Sequence, residues 1–200
     1  MKRSQGGGSV ASRTQIVCLC EGAKGSSIDE VFINKLMKAL KRSWVRPQGS
    51  NVVRLLPCGS RSAVIKRVPE ELKYCLTAGG HTTLMVWADC DNNCDNGDAL
   101  KTEFWKESQR SGITQNDFGR IVFIFAKDRL ENWIQFLNTG QTNEAEEGPR
   151  LKYNKEAAEA ATKLADFCKV GQAVENMPPS LTWSCRNWRA LVKRMTVMQH

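Results

Sequence analysis

The sequence predicts an α/β fold: a Rossmann-like parallel sheet of about four strands flanked by helices, with a C-terminal helical extension. Two observations lead there. Short apolar runs alternate with segments whose apolar residues recur at helical spacing, the order expected of strand–helix crossover units. The runs are also apolar throughout, as strands covered on both faces must be. At 200 residues, 41% hydrophobic and 25% charged, the chain has the length and composition of an ordinary soluble protein with one substantial core.

The first segment, MKRSQGGGSVASRT (1–14), is Gly/Ser-rich and reads as a flexible arm or an expression remnant outside the fold. TQIVCLCEG (14–22) supplies a buried strand near 15–20 that turns at Glu21-Gly22. Ser27 and Glu30 then stand at capping-box spacing, and Ile28, Val31, Phe32, Leu36 and Leu40 recur helically, predicting a helix from about 28 to 43. NVVRLLP (51–57) predicts a second strand near 52–57, closed by Pro57 and Gly59. A helix over about 68–77 follows, with Pro69 suited to its first turn.

TTLMVWAD (82–89) predicts the third strand, near 83–88, and ALKTEFWKESQRSG (99–112) a helix that Gly112 terminates. GRIVFIFA (119–126) predicts the fourth strand, near 120–125. DRLENWIQFLN (128–138) is read as a helix with Leu130, Ile134 and Leu137 on one face. A polar, acidic loop (138–150) leads to a helix near 154–170, capped by Asn154 and stopped by Gly171. A Pro-Pro break at 178–179 precedes a last helix, 182–195. The division expected is an arm at 1–14, a core at 15–140, and a loop with a basic helical extension at 141–200.

On a helical wheel the last segment places Trp188, Leu191, Val192 and Met195 on one face and Arg186, Arg189 and Lys193 on the other. That basic stripe is either a solvated face or a phosphate-contacting one. A net charge of +8 favours a polyanionic partner such as nucleic acid. No apolar run has membrane-spanning length and the N-terminus lacks the apolar middle of a signal peptide, so no membrane association and a cytoplasmic location are expected. The eight cysteines then read as reduced and mostly structural. Cys90 and Cys94 have no second close pair to complete a zinc set.

Carboxylates gather where the predicted strands end. Glu21 follows the first strand, Asp89 and Asp91 end the third, and Asp128 and Glu131 follow the fourth. In a parallel sheet these positions share one edge, the edge where ligand sites form. Acids crowded together in this way need a counter-charge, and hard oxygen donors suit Mg2+ or Mn2+. The alternative reading makes Asp89 and Asp91 a solvated turn.

IVCLCEGAKGSSIDEVFINKLMKAL (16–40) resembles the opening of the Toprim domain, a hydrophobic strand, Glu-Gly and a helix. LMVWADCD (84–91) resembles its Asp-x-Asp strand, and RLENWIQFL (129–137) is similar to a helix of nuclease members such as the overcoming-lysogenization-defect group. The resemblance spans about residues 15–137. It implies that Glu21 is an acid, a base or a metal ligand, that Asp89 and Asp91 are magnesium ligands, and that Glu131 is a further ligand. Asn93 stands where the longer family pattern has a third acid, with Asp95 beyond it, so one or two metals remain open.

Topoisomerase activity would need a catalytic tyrosine from a further domain, and only Tyr74 and Tyr153 are present. The activity implied is a metal-dependent nuclease, as in defence-associated effectors, with an ATPase or other protein subunit as partner or a homo-oligomer as the assembly. The rival is an inactive Toprim-like scaffold. A receiver domain would carry paired acids after its first strand, where Cys20-Glu21-Gly22 stands. A dinucleotide fold would need the absent G-x-G-x-x-G.

Overall fold

The computed structural model describes residues 15–25, 27–40, 53–78, 82–90, 97–151, 154–170 and 175–197, except the side chains at 169–170 and 191–197. Four strands, β1 (Gln15–Cys20), β2 (Arg54–Pro57), β3 (Thr82–Cys90) and β4 (Val122–Lys127), form one sheet in the order β2-β1-β3-β4. Every pairing is parallel, with Val17 opposite Arg54 and Leu84, and Met85 opposite Val122. Among the described residues seven helices accompany them: α1 (Ile28–Ala39), α2 (Arg61–Thr77), α3 (Gly97–Arg110), α4 (Gln115–Phe118), α5 (Leu130–Thr139), α6 (Asn154–Val170) and α7 (Pro179–Val197). The predicted fold class is the one observed.

Alternation along each strand explains why the strands carry no polar face. Ile16, Cys18 and Cys20 point to one side, where they meet Phe32 and Ile33 of α1, Trp133 of α5, Ala161 and Leu164 of α6, and Leu181 of α7. Val17 and Leu19 point to the other, onto Val64, Val68 and Leu72 of α2 and Phe104 of α3. Trp87 anchors the first layer edge-on against Phe32 and Trp133, each ring centre 5.8 Å away. The alanine-rich face of α6 (Ala157, Ala160, Ala161, Ala165) is buried, so the segment beyond residue 140 closes one face of the sheet.

Helix ends follow local chemistry. Ser27 caps α1 by accepting from the Glu30 amide at 3.2 Å, while Glu30 reaches the Gly25 amide at 3.0 Å. Gly112, at φ +78°, closes α3: its amide bonds Gln109 O at 3.0 Å and the Ile113 amide bonds Ser108 O at 3.0 Å, a Schellman ending. Gly140 ends α5 in the same left-handed region.

Five expectations need correction. The second helix begins at Arg61, not 68, and carries Pro69 in its interior. Ser60 caps it by accepting from the Ala63 amide at 3.3 Å. Val64 and Val68 continue the buried stripe of Leu72 and Cys75, and that burial outweighs the hydrogen bond Pro69 cannot donate. The last helix starts at Pro179, not 182, because a proline in the first turn sacrifices no helical bond. A short helix, α4, capped by Thr114, was not expected. The fourth strand lies two residues later than predicted, and the third extends to Cys90.

The expected arm, the strand start at 52, the first helix's end past 40, Asn93, Cys94, Asp95 and Gly171 lie outside the described residues. Among the described residues no disulfide joins the cysteines, and no helix is long and apolar enough to cross a membrane.

The edge strand β4 is covered by α7. Ser184 Oγ accepts from the Phe125 amide at 2.9 Å and donates to the Phe125 carbonyl at 3.0 Å. Asn187 Nδ2 donates to the Phe123 carbonyl at 2.9 Å. These contacts run α7 antiparallel to β4 and pair backbone groups that an open edge would leave bare. Trp183 stacks on Phe125, 5.2 Å between centres, and fits where Gly97 has no side chain.

A carboxylate crevice at the switch point of the sheet

From β1 the chain passes to β2 on one side and then crosses to β3 on the other. The reversal opens a crevice between the carboxyl ends of β1 and β3, the place where parallel α/β sheets form their ligand sites. Glu21 follows β1 directly and Asp89 is the penultimate residue of β3. The two meet: Glu21 Oε1 accepts the Asp89 backbone amide at 2.9 Å.

Three more acids surround this pair. Asp29 lies in the first turn of α1, and Glu131 in the first turn of α5. Asp128 connects β4 to α5. Asp29, Glu21, Glu131 and Asp128 all act on Asp89 electrostatically, and together with burial, the largest cause, they hold its carboxyl well above the ordinary carboxylate range. Burial raises Asp29 as well. It also raises Glu131, where Asp29 and Asp128 add to the rise while a backbone hydrogen bond and Arg129 oppose it.

Among the described residues, the buried Asp89 Oδ1 atom has no hydrogen-bond partner. A lone buried carboxylate oxygen facing other acids is an unfavourable arrangement unless a proton or a cation completes it.

Gly22 allows the crevice to close. A Cβ there would collide with Ser27 Oγ and stand 3.0 Å from Asp29 Oδ2, so the Glu-Gly pair lets the start of α1 pack onto the end of β1. Asp128 has a different task. It sits at φ +60°, a region costly for a residue with a side chain. Its Oδ2 accepts from the Gly148 amide at 3.1 Å and pairs with Arg129 Nε at 3.2 Å. Asp128 thereby ties the 140–150 loop over the start of α5.

Of the sequence-predicted site residues, the structure brings together Glu21, Asp89 and Glu131. Asp91 lies outside the described residues. Among the described residues no three His, Cys, Asp or Glu side chains already form a metal-holding group. The donor set nonetheless fits a hard divalent cation: it is all carboxylate, and Asp89 Oδ1 has an unmet demand.

Arg186 and Arg189 are exposed on α7, and the side chain of Lys193 lies outside the described residues. Because α7 runs antiparallel to β4, Arg186 lies beside the middle of β4 and Arg189 toward the amino end of the strand.

Two residues at the crevice escaped the sequence reading. Asp29 has the look of an ordinary first-turn acid complementing the helix dipole; its closeness to Glu21-Gly22 in the chain was the available signal. Arg61, the first residue of α2, donates from Nη1 to the Asp89 carbonyl at 3.4 Å. Pro69 draws the expected helix start to about 68, which leaves Arg61 ahead of the predicted helix. Comparison of this chain with protein-family models, curated proteins and solved structures finds no match.

Proposed function

We propose that this protein is a Toprim-like, Mg2+- or Mn2+-dependent phosphodiesterase acting on nucleic acid. The observation that carries the reading is the orphaned Asp89 Oδ1 amid Glu21, Asp29 and Glu131 at the β1/β3 switch point. The net charge of +8 supports a polyanionic substrate. Asp89, with Asp91, Glu21 and Glu131, would hold the metal. When bound, the metal would supply Lewis-acid stabilisation of charge on phosphoryl oxygens.

The remaining chemistry belongs to the chain's own groups. Glu21 orients the end of β3 through the Asp89 amide and, as a carboxylate at the crevice, is the group to position or deprotonate water. Asp29 and Glu131 raise the local negative charge and so strengthen cation uptake. Arg186 and Arg189 form a second contact with the polyanion, away from the reacting phosphate, and the sequence adds Lys193 to the same stripe. A partner subunit such as an ATPase, and a role in antiviral defence, follow from the Toprim-like motif order alone.

The test is Asp89→Asn with Asp91→Asn, assayed on DNA and RNA, single- and double-stranded, with magnesium or manganese. Cleavage should fall by at least 10²-fold, in the range lost with other essential electrostatic groups. Magnesium should raise the melting temperature of the wild type and not of the variant. A cleaving preparation in which the double variant cuts as fast as wild type, and responds equally to magnesium, would leave this domain a scaffold.

A further inference from the structure

The segment beyond residue 140 brings three sulfurs to one place. Cys168 lies near the end of α6, Cys185 on α7, and Met177 on the connection between those helices. All three line one cavity of about 20 Å³, the room of a single small guest. Leu164, Phe167 and Trp188 give it apolar walls, and Arg189, exposed on α7, stands at its rim. Cys168 and Cys185 also line the neighbouring cavity that reaches inward to Trp87.

The two thiols face each other closely enough to share a hydrogen bond. That bond, followed by burial, holds the Cys185 thiol well above its ordinary range, while Arg189 draws it down. Filling space alone does not call for sulfur here, since α6 meets that need with Ala157, Ala160, Ala161 and Ala165. Water would find weak partners in thiols and a thioether. A disulfide would pull the two sulfurs to about 2.05 Å and would leave Met177 without a part. Two sulfurs bound to one metal at about 2.3 Å each lie roughly 4 Å apart, close to the reach of a thiol–thiol hydrogen bond.

Thiolate and thioether donors select soft ions, Cu(I) foremost among those that biology uses. Zinc wants a fourth donor of nitrogen, oxygen or thiolate sulfur, and among the described residues no carboxylate or imidazole lines the cavity. Charge also balances. Two thiols release two protons to solvent and accept one monovalent cation, so the neutral pair acquires one negative charge with no electron transferred. Arg189 supplies the compensating positive charge at the rim.

We propose that Cys168, Cys185 and Met177 form a three-sulfur site for a soft monovalent metal ion, Cu(I), which clamps α6 to α7. It shares no residue with the carboxylate crevice, whose oxygen donors suit a hard ion, and it does not depend on the phosphodiesterase reading.

The test uses the full chain, reduced and free of oxygen, with Cu(I) supplied as its coloured complex with bathocuproine disulfonate. The wild type should withdraw about one equivalent and melt at a higher temperature once loaded, because an ion held only by the folded state stabilises it. Cys168→Ser with Cys185→Ser should hold copper at least about 100-fold more weakly, and Met177→Leu at least about 10-fold, since even the outer-shell partners of a metal are worth that range. X-ray absorption of the loaded wild type should show copper surrounded by three sulfurs. Circular dichroism establishes that the variants fold. If the double serine variant does not fold, Met177→Leu and the X-ray absorption decide.

A wild type that leaves the copper with bathocuproine disulfonate overturns the proposal. So does a double serine variant that takes up the first equivalent as tightly as wild type, which would assign the copper to other cysteines such as the partly buried Cys58. Wild-type affinity in Met177→Leu, or a copper shell with fewer than three sulfurs, would equally overturn the three-sulfur site.

Discussion

Burial and four neighbouring acids hold the Asp89 carboxyl well above its ordinary range, and the sign of that shift has a measurable consequence. A carboxyl whose pKa is higher in the folded state binds more protons there than when unfolded. Its contribution is therefore fully present below the unfolded value, about 3.9, and lost as pH rises through the raised folded value. At neutral pH and without metal, Asp89 works against folding, because its ionised form is less favourable in the folded chain than in the unfolded one. Asp89→Asn should then stabilise the metal-free protein by about 0.5–2 kcal/mol, the usual gain from relaxing a strained site. In a chain of this size that is about 2–4 °C in melting temperature per kcal/mol. The advantage should fade as pH drops toward the ordinary carboxylate range. Melting curves in chelator across pH check this, and an Asn variant that melts lower at neutral pH would mean the charge is already well compensated.

At the scale of elements, the covered β4 edge makes the sharpest claim. Ser184 is 2% exposed and satisfies both backbone groups of Phe125. Ser184→Ala leaves a buried amide and carbonyl unpaired and should cost about 1–3 kcal/mol, read by urea unfolding, with faster hydrogen exchange at the Phe125 amide. Unchanged exchange there would show that water replaces the hydroxyl without loss. None of this was legible in the chain. Ser184 and Asn187 are polar residues on a helix, which sequence reasoning assigns to solvent; only the path of α7 along a strand edge gives them a buried task. The strands were legible because two covered faces demand unbroken apolar runs. The start of α2 is less legible because Pro69 reads as a helix start, whereas the Ser60 cap and the Val64–Val68 stripe begin it two turns earlier. Glu21 and Asp89 were legible from parallel topology alone, since strand ends share an edge. Arg61 was not, because its role depends on reaching across a neighbouring strand.

For the whole molecule, two packed layers keep thiols away from water. Cys20 is pushed up to about 12 by burial, then by Asp29, Cys58 and Glu30. Cys75 is pushed up to about 12 by burial and by Glu71. At pH 8 each is then about four units from titration, so roughly one molecule in ten thousand carries the reactive thiolate at either site. Iodoacetamide on the native protein should leave both unmodified, while denaturant should expose them, as peptide mass mapping can show. Rapid native labelling of either would place it in a part of the structure that opens readily.

The helix that shields β4 also sets an order in time. Translation delivers Lys127 first and Asn187 about sixty residues later. At roughly 5–20 residues per second, the strand waits several seconds for its cover. During that interval the nascent sheet has an unpaired side rich in phenylalanine, open to any extended chain nearby. The hazard to this protein is therefore greatest while it is being made, and slower translation through residues 128–187 would lengthen it even though the finished fold is unchanged.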